Sequence, residues 1–386
     1  MKRLTHLSAL LFASILLAGA STAQEPIKIG ATVALTGPGA DLGNDQLRGM
    51  RLAIEDINAK GGIRGRKLEL VYRDDEGQPP KAKTFAKELV HNEQILAFFP
   101  NTMTTPNLAT MTETTTAGVP HIVAGTTSDV ICPDSAGGKP CHAFVFRLST
   151  LNSWQANKLA EYAVNTLKAK RIGLFYDSTE YGQDGRKRIL DKLQALGSKP
   201  VFEGTFDLSE KNFKPLLLQL QQSGADAVIV WTIGPPAARI TLEKRELGLD
   251  SIKMLASEGI ATADYRNLTK EASNGVLLAA RMKPTVSDPD PLVRTFVDRY
   301  VSTYKTDPDI GVPAWTIGFY DAVMLFAEAA GKVGLDRKAI RDEIERTTFK
   351  GVTGLVYRFG PDKHNGREPD AVVMNMIQDR KLVEPK

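Results

Sequence analysis

Apolar, β-branched stretches alternate with amphipathic helical stretches along almost the whole chain, and this alternation limits the fold more than any other feature. Residues 27–34 predict a strand, 46–60 a helix with Leu47, Met50, Ile54 and Ile57 at helical spacing, and 67–72 a second strand. Helix 81–92, strand 95–99, helix 106–117 and strand 121–124 follow. The pattern then restarts with helix 152–167, strand 172–176, helix 185–196, strand 200–206, helix 213–222 and strand 227–231. Helix 237–247 and strands 252–256 and 276–280 extend it. Strands separated by helices of about 10 to 15 residues build parallel sheets covered on both faces, so the expected class is α/β with two doubly wound parallel-sheet lobes. Residues 291–304 and 315–333 predict two more long helices, and 355–359 with 371–377 a closing hairpin, none of which periodicity assigns to a lobe.

The first 23 residues fall outside this pattern. Lys2 and Arg3 precede an apolar run over 7–18, and Ser21-Thr22-Ala23 offers small residues for cleavage, the composition of a secretory signal. The run is shorter than the roughly 20 residues a membrane span needs, and no cysteine follows it to carry a lipid. The mature chain is expected to begin near Gln24 and to work in an oxidising compartment. The two cysteines, Cys132 and Cys141, bracket a turn-rich segment, which predicts a structural disulfide.

Composition removes several function classes. Lys+Arg 49 against Asp+Glu 45 gives a net charge of +4 with the charges interspersed, so no basic face for nucleic acid is implied. The five histidines show neither HExxH nor Cys/His spacing, and no metal is expected. Gly37, Gly39 and Gly43 follow a strand, but the third glycine stands one residue late for G-x-G-x-x-G and Asp74 lies too far on for the ribose. Neither G-x-S-x-G nor a Walker A string occurs, so the expectation is a binding protein with no cofactor and no enzyme activity.

In open α/β sheets ligands bind beyond the carboxyl ends of the strands. That places a candidate site in the loops 36–44, 100–105, 125–129, 177–184, 232–236 and 257–261. Several put Thr or Gly just before a helix, most clearly Thr105-Pro106, where free N–H groups suit a carboxylate or phosphate, although each Thr can equally be a helix cap.

Residues 57–68, Ile-Asn-Ala-Lys-Gly-Gly-Ile-Arg-Gly-Arg-Lys-Leu, resemble the signature of the type I periplasmic solute-binding proteins of the leucine/isoleucine/valine-binding kind, which serve ABC transporters. The opening Ile27-Lys28-Ile29-Gly30 with Leu35-Thr36-Gly37-Pro38 is similar to that family's first strand and loop. Gly118-Val119-Pro120, Phe146-Arg147 with Asn152 and Gln155, Tyr181-Gly182, and Gly318-Phe319-Tyr320-Asp321-Ala322 extend the likeness along the chain. Asn152 departs from the pattern, since many members have Asp there.

The resemblance implies a type I periplasmic binding fold with a three-stranded hinge crossing near Arg147, Arg281 and Gly354. Lobe one would then hold 24–147 and 281–353, and lobe two 148–280 and 354–386. It also implies a periplasmic monomer that takes a small molecule, an amino acid or related carboxylate, and hands it to a membrane permease. Thr104, Thr105, Gly125, Thr126 and Thr127 resemble the loops that receive the ligand carboxylate, and Tyr181 the aromatic that closes over it. Thr232 lies in a loop that lacks the aromatic of the branched-chain binders, and Leu42 stands roughly where some members have Trp, so the side-chain pocket is left open. Ser257-Glu258-Gly259 is similar to a Pro-Glu-Gly string whose Glu meets a ligand ammonium. Glu258 keeps three readings at this point: a solvated loop acid, an internal partner for a basic side chain, or the ammonium receptor. A carboxylic acid without an amine, aromatic or aliphatic, is the alternative ligand, and a ligand sensor the alternative role.

Overall fold

The computed structural model describes residues 24–132, 141–281 and 288–385; the predicted signal segment lies outside them. The first sheet is formed by β1 (Ile27–Val33), β2 (Leu68–Asp74), β3 (Phe98–Phe99), β4 (His121–Val123) and β5 (Val145–Arg147). These strands run parallel in the order β2-β1-β3-β4-β5. Between them lie α1 (Ala40–Ala59), α2 (Pro79–His91) and α3 (Thr104–Thr116). Parallel neighbours need a crossover of about a dozen residues or more, which a helix supplies.

Leaving β5 the chain enters the second lobe through α4 (Asn152–Glu161) and a π-helical turn, then β6 (Ile172–Asp177), α5 (Glu180–Ala195) and β7 (Phe202–Phe206). It continues through α6 (Lys214–Gln222), β8 (Ala227–Trp231), α7 (Gly234–Glu246), β9 (Lys253–Ala256), α8 (Ala263–Thr269) and β10 (Leu277–Ala280). All five residues of β8 are buried, and successive side chains point to opposite faces. Val228 and Val230 join the core of Phe175, while Ala227, Ile229 and Trp231 join that of Leu174. A strand covered on both faces has no polar side to show, which is why it appears in the sequence as an unbroken apolar run.

The chain then returns to the first lobe. Helices α9 (Pro291–Tyr304), α10 (Ala314–Val333) and α11 (Arg337–Glu345) bury Phe296, Tyr300, Phe326 and Ile340 in the same core as Ile29, Val33 and Met50. At the crossing of α1 and α10, a Cβ on Gly49 would lie 2.2 Å from the Thr316 carbonyl oxygen, so only glycine permits this approach.

Two expectations are corrected here. The expected hairpin does not form: β12 (Val356–Arg358) pairs with β11 (Thr348–Lys350), whereas β13 (Val373–Gln378) joins the second sheet between β10 and β14 (Lys381–Val383). That sheet, in the order β14-β13-β10-β9-β8-β6-β7, is therefore parallel with an antiparallel margin. The third passage between lobes also lies later than Gly354. Tyr357 belongs to the first core, and Gly366 N–H still donates to the Arg147 carbonyl at 2.8 Å, so the chain passes over only between there and β13. The Cys132–Cys141 disulfide is present, with Cα atoms 4.6 Å apart. Among the described residues no helix is long and apolar enough to cross a membrane.

Candidate functional site

The carboxyl ends of both sheets face each other across a cleft of about 500 Å³, counted with the solvent space at its mouth. All six loops expected from the sequence contribute to its wall, through Leu42, Thr102 to Thr105, Gly125 and Thr127 on one side and Asp177, Thr179, Tyr181, Ile233, Glu258 and Gly259 on the other. Leu208 and Trp315, which no motif indicated, complete it.

One end of the cleft is suited to an anion. Helix α3 starts at Thr104 with Met103 in the N-cap position and no side chain capping it, so its first N–H groups are free of side-chain partners. The loop before it is held rigidly: Asn101 Oδ1 accepts from Met103 N–H at 2.8 Å, and Asn101 Nδ2 donates to Asp75 at 2.5 Å. Thr104 and Thr105 line the cleft, and neither hydroxyl takes part in any hydrogen bond among the described residues. Gly125 packs so closely on Thr102 that a Cβ would lie 2.8 Å from its methyl carbon. The rest of the lining is largely apolar, with Leu42, Met103 and Trp315 on the first side and Leu208 and Ile233 on the other.

The remaining candidates are placed differently from one another. Thr126 lies behind the loop, where its hydroxyl donates to the Thr102 carbonyl at 2.9 Å and accepts from Asn107, so it does not reach the cleft. Thr127 lines the cleft, but its hydroxyl proton is used on Asn152 Oδ1 at 2.8 Å. Asn152 Nδ2 in turn donates to Asp184 at 2.8 Å, as do Ser128 Oγ and Asp129 N–H at 3.0 Å. This accounts for Asn152: an Asp there would set two carboxylates against each other at hydrogen-bond distance. Tyr181 lines the cleft with its hydroxyl donating to Ser257 Oγ at 2.9 Å, and burial raises its phenol above the usual range. Thr232 is wholly buried outside the cleft wall, its carbonyl accepting from Ser257.

Glu258 is only 1% exposed yet borders the cleft. Its Oε1 is ion-paired with Arg281 Nε, and Oε2 accepts from Thr150 at 3.2 Å and Gln155 at 3.3 Å. Gln155 Oε1 accepts from the Glu258 N–H at 3.0 Å. Of the three readings of this acid, the internal partner is the one the geometry realises. Arg281 is fixed in turn by the Ala124 carbonyl at 2.7 Å and by Trp315, whose ring lies 5.4 Å beneath the guanidinium. Asp177, at the end of β6, was not among the expected ligand residues: it is fully buried, and burial pushes its carboxyl up to about 6.

The periplasmic binding protein family model matches residues 26–379. The Leu/Ile/Val-binding protein of Escherichia coli is 29% identical over 311 residues, 80% of this chain and 81% of that protein. The fold is similar to that of the branched-chain amino acid binding protein LivJ of Streptococcus pneumoniae in complex with isoleucine, with a TM-score of 0.81 and 24% identity over 93% of this chain and all of that one. It is also similar to a solute-binding protein of Rhodopseudomonas palustris in complex with benzoate, with a TM-score of 0.82 and 19% identity over 93% of this chain and 95% of that one. With the family model spanning almost the whole described chain and two facing α/β lobes enclosing the cleft, the chain belongs to the periplasmic binding protein family.

Proposed function

We propose that this protein is exported to the periplasm, where it captures a small carboxylic acid with an apolar body, amino acids included, and presents it to a membrane permease. The observation that carries the reading is the α3 N-terminus, where free N–H groups and the unengaged hydroxyls of Thr104 and Thr105 border a cleft whose remaining lining is largely apolar. The carboxylate lies at the helix end and the ligand body against Leu42, Met103, Leu208, Ile233 and Trp315. Thr127 contributes through the backbone and by holding Asn152, and Tyr181 closes the second lobe over the ligand. The name of the Escherichia coli relative supports an amino acid; the Glu258–Arg281 pair, which leaves that acid already neutralised, supports acids without an amine equally well.

Mass spectrometry of the co-purifying molecule, followed by calorimetry with that compound, tests the class. A hydrogen bond to a charged group contributes about 1.5 to 3 kcal/mol, so Thr105→Val is expected to weaken binding about ten- to a hundredfold. Parent-like affinity in that variant would move the carboxylate elsewhere. Solution scattering is expected to show a smaller radius of gyration with saturating ligand, and unchanged curves for a ligand that binds would remove hinge closure.

A further inference from the structure

Two acids border the cleft, and they are in opposite states. Glu258 has donors on both oxygens, one of them the Arg281 guanidinium. Asp177 has donors on one oxygen only: Oδ1 accepts from the Thr179 N–H at 3.1 Å and from the Thr179 hydroxyl. Its Oδ2 is buried and has no hydrogen-bond partner. The Thr232 hydroxyl, one strand away at the end of β8, is the near side-chain donor on that side, but neither it nor Oδ2 makes a hydrogen bond of good geometry. A buried carboxylate oxygen with only a poorly aligned donor is unfavourable, and a group that supplies a well-aligned one on entering the cleft removes that cost.

We infer that Asp177 is a specificity-determining residue which accepts a hydrogen bond from a donor on the ligand, an ammonium or a hydroxyl, and that the cleft therefore favours acids bearing such a donor over plain acids of the same skeleton. The inference rests on the carboxylate reading above. Glu258 stays with Arg281, and the role that the family resemblance assigned to Glu258 passes to the end of a different strand.

The test is titration calorimetry on the full mature protein with matched sets: 4-methylpentanoate with its 2-hydroxy and 2-amino forms, and benzoate with its 4-hydroxy and 4-amino forms. Asp177→Asn keeps an acceptor for Thr179 and turns an amide N–H₂ toward the ligand, opposing a ligand donor with a donor. The parent is expected to prefer a donor-bearing member by about tenfold or more, and Asp177→Asn to lose that preference while holding the plain acid within about threefold. Asp177→Ser, which can still cap Thr179, is expected to lose it too, and serves where the Asn variant does not fold. Glu258→Gln is expected to keep the preference. Preference surviving in both Asp177 variants, or abolished by Glu258→Gln alone, overturns the assignment while leaving the carboxylate reading intact. A parent that binds the plain acids as well as their donor-bearing forms also overturns it. Failure of every carboxylate to bind the parent removes both.

Discussion

Glu258 and Arg281 stand 23 positions apart and meet because β9 and β10 are neighbouring parallel strands, with Ala256 paired to Leu278, whose carboxyl ends both reach the cleft. An acid in a small-residue loop after a strand was legible in the sequence; its partner was not, because that depends on strand order, which no local pattern encodes. Asn152 is a similar case, its choice over Asp becoming intelligible only once Asp184 is seen beside it. A buried pair broken from one side leaves an uncompensated charge. Arg281→Ala is therefore expected to cost about 3 to 5 kcal/mol in urea unfolding. The double variant Arg281→Met with Glu258→Leu should cost clearly less than the sum of the two single changes. Strict additivity would show that the pair contributes no coupling.

Along the elements, the helices that border the cleft start before their apolar periodicity does. The spacing predicts 46–60, 106–117, 185–196 and 237–247, whereas α1, α3, α5 and α7 begin at Ala40, Thr104, Glu180 and Gly234. Periodicity registers the face turned to each helix's own core, whereas the first turns of these helices supply Leu42, Thr104, Thr105 and Tyr181 to the cleft and so fall outside that repeat. The misplaced hairpin has a related cause: 355–359 and 371–377 are both strand-like, and nothing local says that their partners are β11 and β10. Two glycines separate packing from propensity at this scale. Gly49→Ala is expected to lower the unfolding free energy by about 1 to 3 kcal/mol despite the better helix propensity of alanine, because its Cβ would meet the Thr316 backbone. Gly331→Ala, exposed in α10 with nothing within 4 Å of the new carbon, is expected to stabilise by about 0.5 to 1 kcal/mol. Equal effects at the two sites would mean that the α1–α10 contact can yield.

At the scale of the whole molecule, the two lobes touch where the N-terminus of α1 meets that of α7. Asp41 Oδ2 is buried without a hydrogen bond of good geometry, 2.7 Å from where a Cβ of Gly234 would lie and with Thr262 as its near side-chain donor. Gly234 and Thr262 belong to the opposite lobe, so part of the burial exists only when the cleft is shut. Burial, with Asp264 facing it, raises the Asp41 carboxyl from its ordinary 3.8 to about 6; Asp45, itself raised by burial, lies near on the same helix, with Arg48 and Arg266 beside that acid. A carboxyl whose value is higher in the closed form than in the open form binds its proton more tightly when closed. The favourable contribution to closure is therefore complete below about 4 and is lost as pH rises through about 6. Ligand affinity is expected to rise as pH falls from 7.5 towards 5, by at most about tenfold from this group. Asp41→Asn carries the neutral form at every pH, so it should bind more tightly than the parent at pH 7.5 and flatten the part of the profile that Asp41 contributes. Asp177 also titrates near 6, and a ligand ammonium seated on it would weaken binding at low pH, so the quantity to read is the ratio of Asp41→Asn to parent affinity across pH, in which the Asp177 contribution cancels. A ratio that stays constant from pH 5 to 7.5 would show that Asp41 takes no part in closing the lobes.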